Sequence, residues 1–157
     1  MTILIAFAVR LLLVGLFLPF SALDKVLNFS AAVDQAANAV RPRTLAVMLV
    51  LGGFSIELAM SLAVLAGVAD RLAALVLGGY CIVTALFWKQ FWRTPDFRLK
   101  GPSQGREVFW DFMKNLSVAG GFLLLATGAD ASGVSHLIQH PLASSHPYAE
   151  ASAGARR

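Results

Sequence analysis

Three ionisable residues, Arg10, Glu57 and Lys114, stand inside otherwise apolar stretches of this chain. A charge within a membrane-crossing helix costs about 2.5–3.5 kcal/mol on insertion scales and is retained when it is paired or faces a polar cavity. Glu57 lies thirteen residues from one end of its apolar run, 44–68, and eleven from the other. At about 1.5 Å of rise per residue that is close to a bilayer midplane. Arg10 precedes Phe20 by ten residues, which puts it roughly 15 Å from the same face of the membrane. The two depths predict that Arg10 and Glu57 face each other. Such a pair either locks two helices together or lines a polar pocket for a substrate, a proton or a quinone headgroup. Lys114 sits about two turns inside its run, and its long stem can carry the charge outward.

The elements that position these charges follow from composition. Of 157 residues, 57% are hydrophobic and 14% charged, whereas a soluble domain is about 45–50% apolar and about 25% charged. Mean hydropathy is +0.69. These values exclude a soluble enzyme, a disordered chain and a nucleic-acid binder. Four apolar runs approach the length of about 20 residues that crosses a bilayer: about 2–20, 44–68, 72–91 and 108–128. The first has no Lys or Arg ahead of it, unlike a secretory leader, so it is expected to remain as a span. Val26, Phe29, Val33, Ala36, Ala37 and Val40 recur at helical spacing. They predict a short amphipathic helix over 24–40, lying in the interface or packed on the bundle, with Pro42 ending it. The expected fold is therefore all-α: an integral membrane four-helix bundle over 1–128 with that helix between the first two spans. Ala63 with Gly67, Ala74 with Gly78 and Ser117 with Gly121 are small-residue pairs four apart that let helices approach closely. The segment 129–157, rich in Ala, Ser, Gly and Pro, reads as a flexible tail.

Other chemistries are poorly supplied. No histidine falls in an apolar run, so a haem with histidine axial ligands has no place to attach. His136 and His140 are four apart, but no third ligand is positioned with them, and His146 lies further on. No metal site is expected, since zinc wants three or four protein ligands. The lone Cys81, and Met48, Met60 and Met113, read as packing residues. Neither a dinucleotide glycine fingerprint nor a P-loop is present.

The net charge of +4 is distributed as an orientation signal. Lys25, Arg41, Arg43, Lys89, Arg93, Arg98, Lys100 and Arg106 fall between the first and second or the third and fourth runs. The opposite side has Arg71, with Arg156 and Arg157 far from any helix end. By the positive-inside rule, loops 21–43 and 92–107 are expected in the cytoplasm and both termini in the periplasm of a bacterial inner membrane. Trp88, Trp92, Arg93, Arg98, Arg106 and Trp110 gather at two helix ends. Aromatic belts and basic groups at such ends predict contacts with lipid headgroups.

Several short motifs, in order, resemble the DoxX family. Arg10, Leu11, Gly15 and Asp24-Lys25 are similar to that family's first helix, and the Glu57 helix ending in Gly67 to its second. Thr84-Ala85-Leu86-Phe87-Trp88 through Phe91-Trp92, then Phe112-Met113-Lys114-Asn115-Leu116 and Gly120-Gly121, resemble the later pattern. The resemblance spans about residues 10–128. It implies a four-helix membrane protein associated with quinol oxidase or thiosulfate:quinone oxidoreductase complexes, with Arg10, Glu57, Lys114 and Asn115 as an intramembrane polar cluster rather than a proven catalytic set. The function it implies is an accessory subunit that anchors redox partners and shapes a quinone or lipid site. The alternative is a self-sufficient small oxidoreductase or carrier acting on a quinone-like or lipid substrate. No cofactor is expected on this chain alone, although a quinone fits the setting. The expected partners are membrane lipids and membrane or membrane-attached redox subunits, with no nucleic acid. The single cysteine counts against thiol–disulfide chemistry.

Overall fold

A computed structural model describes residues 2–38, 40–128 and 131–149. Every regular element among them is helical. The chain runs through α1 (Thr2–Val14), a π-helical turn (Leu16–Ser21), α2 (Ala22–Leu27), α3 (Phe29–Ala37), α4 (Arg43–Ala66), α5 (Asp70–Trp88), a 3-10 turn (Phe91–Arg93), α6 (Gln104–Thr127) and α7 (Ala131–Gln139). Four stretches are long and apolar enough to cross a membrane: Ile3–Leu27, Arg43–Ala66, Asp70–Arg93 and Gln104–Thr127.

The first span is longer than the apolar run suggested because Pro19 does not end it. Proline has no N–H and clashes with the carbonyl four residues back. The backbone relieves this by widening to π geometry around Pro19, and the Ala22 N–H reaches back to the Phe17 carbonyl. The helical path then continues into α2, carrying Ser21 and Lys25 with it. The helix expected over 24–40 is two pieces, broken at Asn28 (φ −119°). The second piece, α3, packs on α4: Val33 and Ala36 meet Ala46 and Val50.

The main core joins α1, α4, α5 and α6. Val14, Phe17, Val64, Leu77, Cys81 and Phe122 are its larger buried members. Ala74 and Gly78 bring α5 against α6, where a Cβ added at Gly78 would meet the Ala119 carbonyl and Phe122 Cβ at 3.4 Å. Gly121 likewise admits Leu13, 2.8 Å from an added Cβ. Two of the three small-residue spacings thus mark real close approaches.

Residues 131–149 correct the expectation of a flexible tail. α7 packs on α6 and buries Leu137. The chain after it is tied to the α4–α5 hairpin. Ser144 Oγ accepts from the Ala69 N–H at 3.0 Å, and the Tyr148 hydroxyl donates to the Leu65 carbonyl. The Pro147 ring lies against Gly67. Gly67 is fixed twice over: it ends α4 at φ +71°, a left-handed cap that favours glycine, and an added Cβ would lie 2.8 Å from Pro147. Beyond α7 no apolar period marks this segment, because its ties to the hairpin are mostly hydrogen bonds from Ser144, Ser145 and Tyr148. The remaining tail, 150–157, and residues 129–130 lie outside the described residues.

The loop before α6 is pinned to that helix. Ser103 caps it, accepting from the Arg106 N–H at 3.1 Å. The Asp96 carboxylate accepts from the N–H groups of Gln104 (2.7 Å) and Gly105 (3.0 Å). Those bonds hold the Asp96 carboxyl below the usual carboxylate range. Because the folded value is depressed, its support for the loop is complete above the ordinary pKa of about 3.9 and is lost as pH falls through the lower folded value. Gly105 sits so close that an added Cβ would lie 2.8 Å from Phe97 Cα. Gly105→Ala should therefore loosen the loop and speed tryptic cleavage after Arg98 and Lys100. Cleavage at the wild-type rate would show that the loop is held by other contacts.

Candidate functional site

The structure does not pair Arg10 with Glu57. It gives each its own partners and so replaces one polar cluster with two. Arg10, 3% exposed, donates Nη2 to Asp70 Oδ2 at 2.6 Å and to Ser145 Oγ at 2.9 Å, and Nη1 to the Val64 carbonyl at 2.7 Å. Ser145 in turn donates its N–H to Asp70 Oδ1 at 2.8 Å and its hydroxyl to Oδ2. Asp70 is completely buried. This centre ties α1, the C-terminal end of α4, the start of α5 and the C-terminal segment into one knot. All its strong acceptors are taken up inside the protein, which is the arrangement of a structural clasp.

Glu57, 1% exposed, is engaged from α2 instead. Lys25 Nζ donates to Glu57 Oε1 at 2.8 Å, to Oε2 at 2.9 Å and to Ser21 Oγ at 2.7 Å, while Ser21 donates to Oε2 at 3.0 Å. A helical side chain leans toward the N-terminus of its own helix. Lys25 therefore reaches back past Ser21, one turn earlier, toward the middle of the membrane. The Tyr80 phenol stands beside Glu57 and against Gly53, where an added Cβ would lie 3.0 Å from its hydroxyl. Glycine at 53 is what lets Tyr80 come in from α5.

This second centre opens into a cleft of about 520 Å³ between α2, α3, α4 and α5. Lys25, Glu57, Tyr80, Thr84 and Gln35 supply polar groups; Met48, Leu49, Ile56 and Val83 supply apolar walls. Met48 (64% exposed) and Val83 (48%) lie on the outer surface of membrane-crossing stretches. The cleft accordingly opens on the outer surface of these stretches.

Lys114 and Asn115 join neither centre. Lys114 is exposed and pairs one turn back with Asp111 (3.4 Å), whose other oxygen takes Lys89 at 3.1 Å. Lys114 thus reaches toward the loop end of α6 and joins a surface charge group that links the end of α5 to α6. Asn115 is half-buried on α6, one residue beyond it. At the aromatic end, Phe91 is the hub: Trp92, Phe97, Phe109 and Phe112 lie with ring centroids 5.1–5.6 Å away. Trp92 and Trp110 keep about half their surface outward. Arg93 and Arg98 are exposed, Trp88 and Arg106 half-buried. Arg106 also donates to the Leu99 carbonyl at 3.2 Å. The rings of His136 and His140 lie 5.3 Å apart on α7, with Arg71 Nη1 3.4 Å from His136 Nδ1. Among the described residues no three His, Cys, Asp or Glu converge.

Sequence reasoning missed Lys25, Ser21 and Asp70 as partners. Lys25 stands in the sequence as an orientation charge and in the Asp24-Lys25 pair that resembles the family's first helix, with Ser21 four residues before it as a local signal. Asp70 lies between the second and third apolar runs, where no pattern marks it as a partner. Ser145 lay in the segment taken as a tail, and no pattern marked it.

Four helices long and apolar enough to cross a membrane, enclosing two buried ion-pair centres, define a small multi-pass membrane protein. The DoxX family model matches residues 5–90, more than half of the chain, so the protein belongs to the DoxX family. The matched stretch holds Arg10, Lys25, Glu57, Asp70 and Tyr80 and stops before α6. No curated protein and no solved structure matches the chain.

Proposed function

We propose that this DoxX protein is an accessory subunit of a quinone-linked redox complex in a bacterial inner membrane, where it anchors partner subunits and shapes a quinone or lipid site. The observation that carries the reading is the cleft at Lys25 and Glu57. Its volume of about 520 Å³ lies in the range of about 300–1,000 Å³ typical of small-molecule sites. Its walls combine apolar side chains with a few polar groups, as a headgroup with an apolar tail requires. The Tyr80 phenol and the Gln35 amide suit the carbonyl oxygens of a quinone headgroup.

The accessory role is supported by the donor set. Haem and iron–sulfur groups are held chiefly by His and Cys; this chain offers one buried cysteine and three histidines, all after residue 135. Electrons for a quinone would then come from a partner. Affinity purification of the full chain in mild detergent tests this. A stable partner carrying haem, flavin or metal supports it; a chain that purifies alone contradicts it. The self-sufficient alternative is favoured by one observation, the buried Lys25–Glu57 pair standing inside the cleft. Quinone-dependent turnover by the lone protein would establish that alternative.

Orientation is part of the proposal. With Lys25, Arg41, Arg43 and the basic 89–106 loop in the cytoplasm, the Arg10–Asp70–Ser145 clasp faces the periplasm. Alkaline phosphatase fused after residue 149 should be active in a bacterial host and green fluorescent protein at the same place dark. The reverse pattern would invert the topology.

A further inference from the structure

We infer that the Lys25–Glu57 cleft admits, sideways from the bilayer, an amphiphile whose headgroup is uncharged and rich in hydrogen-bond acceptors, and that it discriminates against anionic headgroups. The inference rests on the cleft being a ligand site, as proposed above, and narrows what that ligand is.

Charge carries the first part. Only three charged residues line the cleft: Lys25, Glu57 and Lys89. A lysine ammonium has three N–H donors. The three contacts of Lys25 go to Glu57 Oε1, Glu57 Oε2 and Ser21 Oγ, all within 2.9 Å. Lys89 is ion-paired with Asp111 at 3.1 Å. Among the described lining residues, an entering carboxylate or phosphate therefore meets no cation without a carboxylate partner. To take Lys25 it would have to separate the ammonium from Glu57 and leave that buried carboxylate beside a second anion.

Hydrogen bonding carries the second part. The Trp88 indole N–H, which can only donate, borders the cleft. Its ring packs beside Phe87, and no described residue accepts from its N–H. The amide of Gln35, also at the cleft, is likewise without a described partner. Both are donors that carbonyl, ester or ether oxygens of a neutral headgroup would satisfy. Thr84 already gives its hydroxyl proton to the carbonyls of Tyr80 and Cys81.

The route follows from the outward-facing walls. Met48, Leu49 and Val83 are exposed on the spans and border the opening, so an apolar tail can remain in lipid while the headgroup sits inside. Gly52 lies at this opening, and an added Cβ there has nothing within 4 Å. Gly52→Leu would add bulk at the cleft mouth from a position where the first side-chain carbon meets no neighbour.

The experiment uses the full chain carrying Trp92→Phe and Trp110→Phe, which leaves Trp88 as its one tryptophan. Decylubiquinone is titrated in detergent while Trp88 fluorescence is followed, with monoolein and oleate as competitors. The expected result is saturable quenching that monoolein reverses and oleate reverses at least about tenfold less effectively, a gap of about 1.4 kcal/mol. Gly52→Leu in the same background should melt as the parent does and lose the saturable component. Quenching that stays linear, or is equal in Gly52→Leu, would overturn the site. Oleate competing as well as monoolein would overturn the charge selection alone. The accessory role is read separately by co-purification of the wild-type chain, so its failure would not be mistaken for either.

Discussion

Arg10→Leu will deplete the folded protein severely, and Arg10→Leu with Asp70→Leu will restore much of it. The single change leaves Asp70, completely buried, with Ser145 but without its cation. Breaking a buried ion pair from one side costs about 3–5 kcal/mol, because the survivor stays desolvated and unpaired, whereas replacing both members by apolar groups is often close to neutral. Recovery in the double variant should be incomplete, since Asp70 also anchors Ser145 and with it the C-terminal segment. Asp70→Asn should be milder than Asp70→Leu, because an amide oxygen still accepts from Arg10. The partner is what the test decides: Arg10→Leu with Glu57→Leu should fare worse than Arg10→Leu alone. Ser61, one helical turn from Glu57, is a control. Its hydroxyl is buried and has no described partner, so Ser61→Ala should be neutral or stabilising. Monodisperse yield by gel filtration and the midpoint of thermal unfolding read all of these. Rescue by Glu57→Leu instead of Asp70→Leu would contradict the pairing.

At the second centre the two partners should respond unequally. Lys25→Met strands the Glu57 carboxylate, 2% exposed, deep in the membrane, and is expected to cost several kcal/mol, in the range of about 3–5 found for a broken buried pair. Glu57→Leu strands a lysine whose side chain is 19% exposed and whose stem can carry the ammonium back to the interface. Its loss should be clearly smaller. Glu57→Gln should be the mildest, since the amide oxygen still accepts from Lys25 and the site stays polar. It should fold well yet change ligand retention, because the ammonium then lacks its counter-ion and an anion can approach it. Equal destabilisation by Lys25→Met and Glu57→Leu would mean that Lys25 is fixed in place and cannot withdraw.

The architecture was legible because it follows from apolar length. Runs of about 20 residues with few charges leave little choice but spanning helices, and the small residues Ala74, Gly78 and Gly121 fell at close helix contacts. Depth along a helix was legible too, which is why Arg10 and Glu57 were identified as buried charges. Their partners were not, because linear depth says nothing about rotation around the bundle or about which way a long side chain leans. Arg10 is met by Asp70 from the α4–α5 turn; Glu57 is met by Lys25 reaching back from the far end of the first span. The anchored segment 140–149 was illegible for a different reason. Three of its ties, at Ser144, Ser145 and Tyr148, are hydrogen bonds to groups already placed by other helices. Such partners leave no period in the sequence.

In this division of labour the Lys25–Glu57 centre receives a ligand while the Arg10–Asp70 centre holds the fold. Protein purified from native membranes, wild type and Gly52→Leu at matched yield, is to be extracted with solvent and read by mass spectrometry. Wild type should carry near-stoichiometric amounts of one neutral, acceptor-bearing amphiphile, and Gly52→Leu should have lost it. The same amphiphile at the same level in both proteins, or nothing beyond bulk phospholipid in either, would contradict this division.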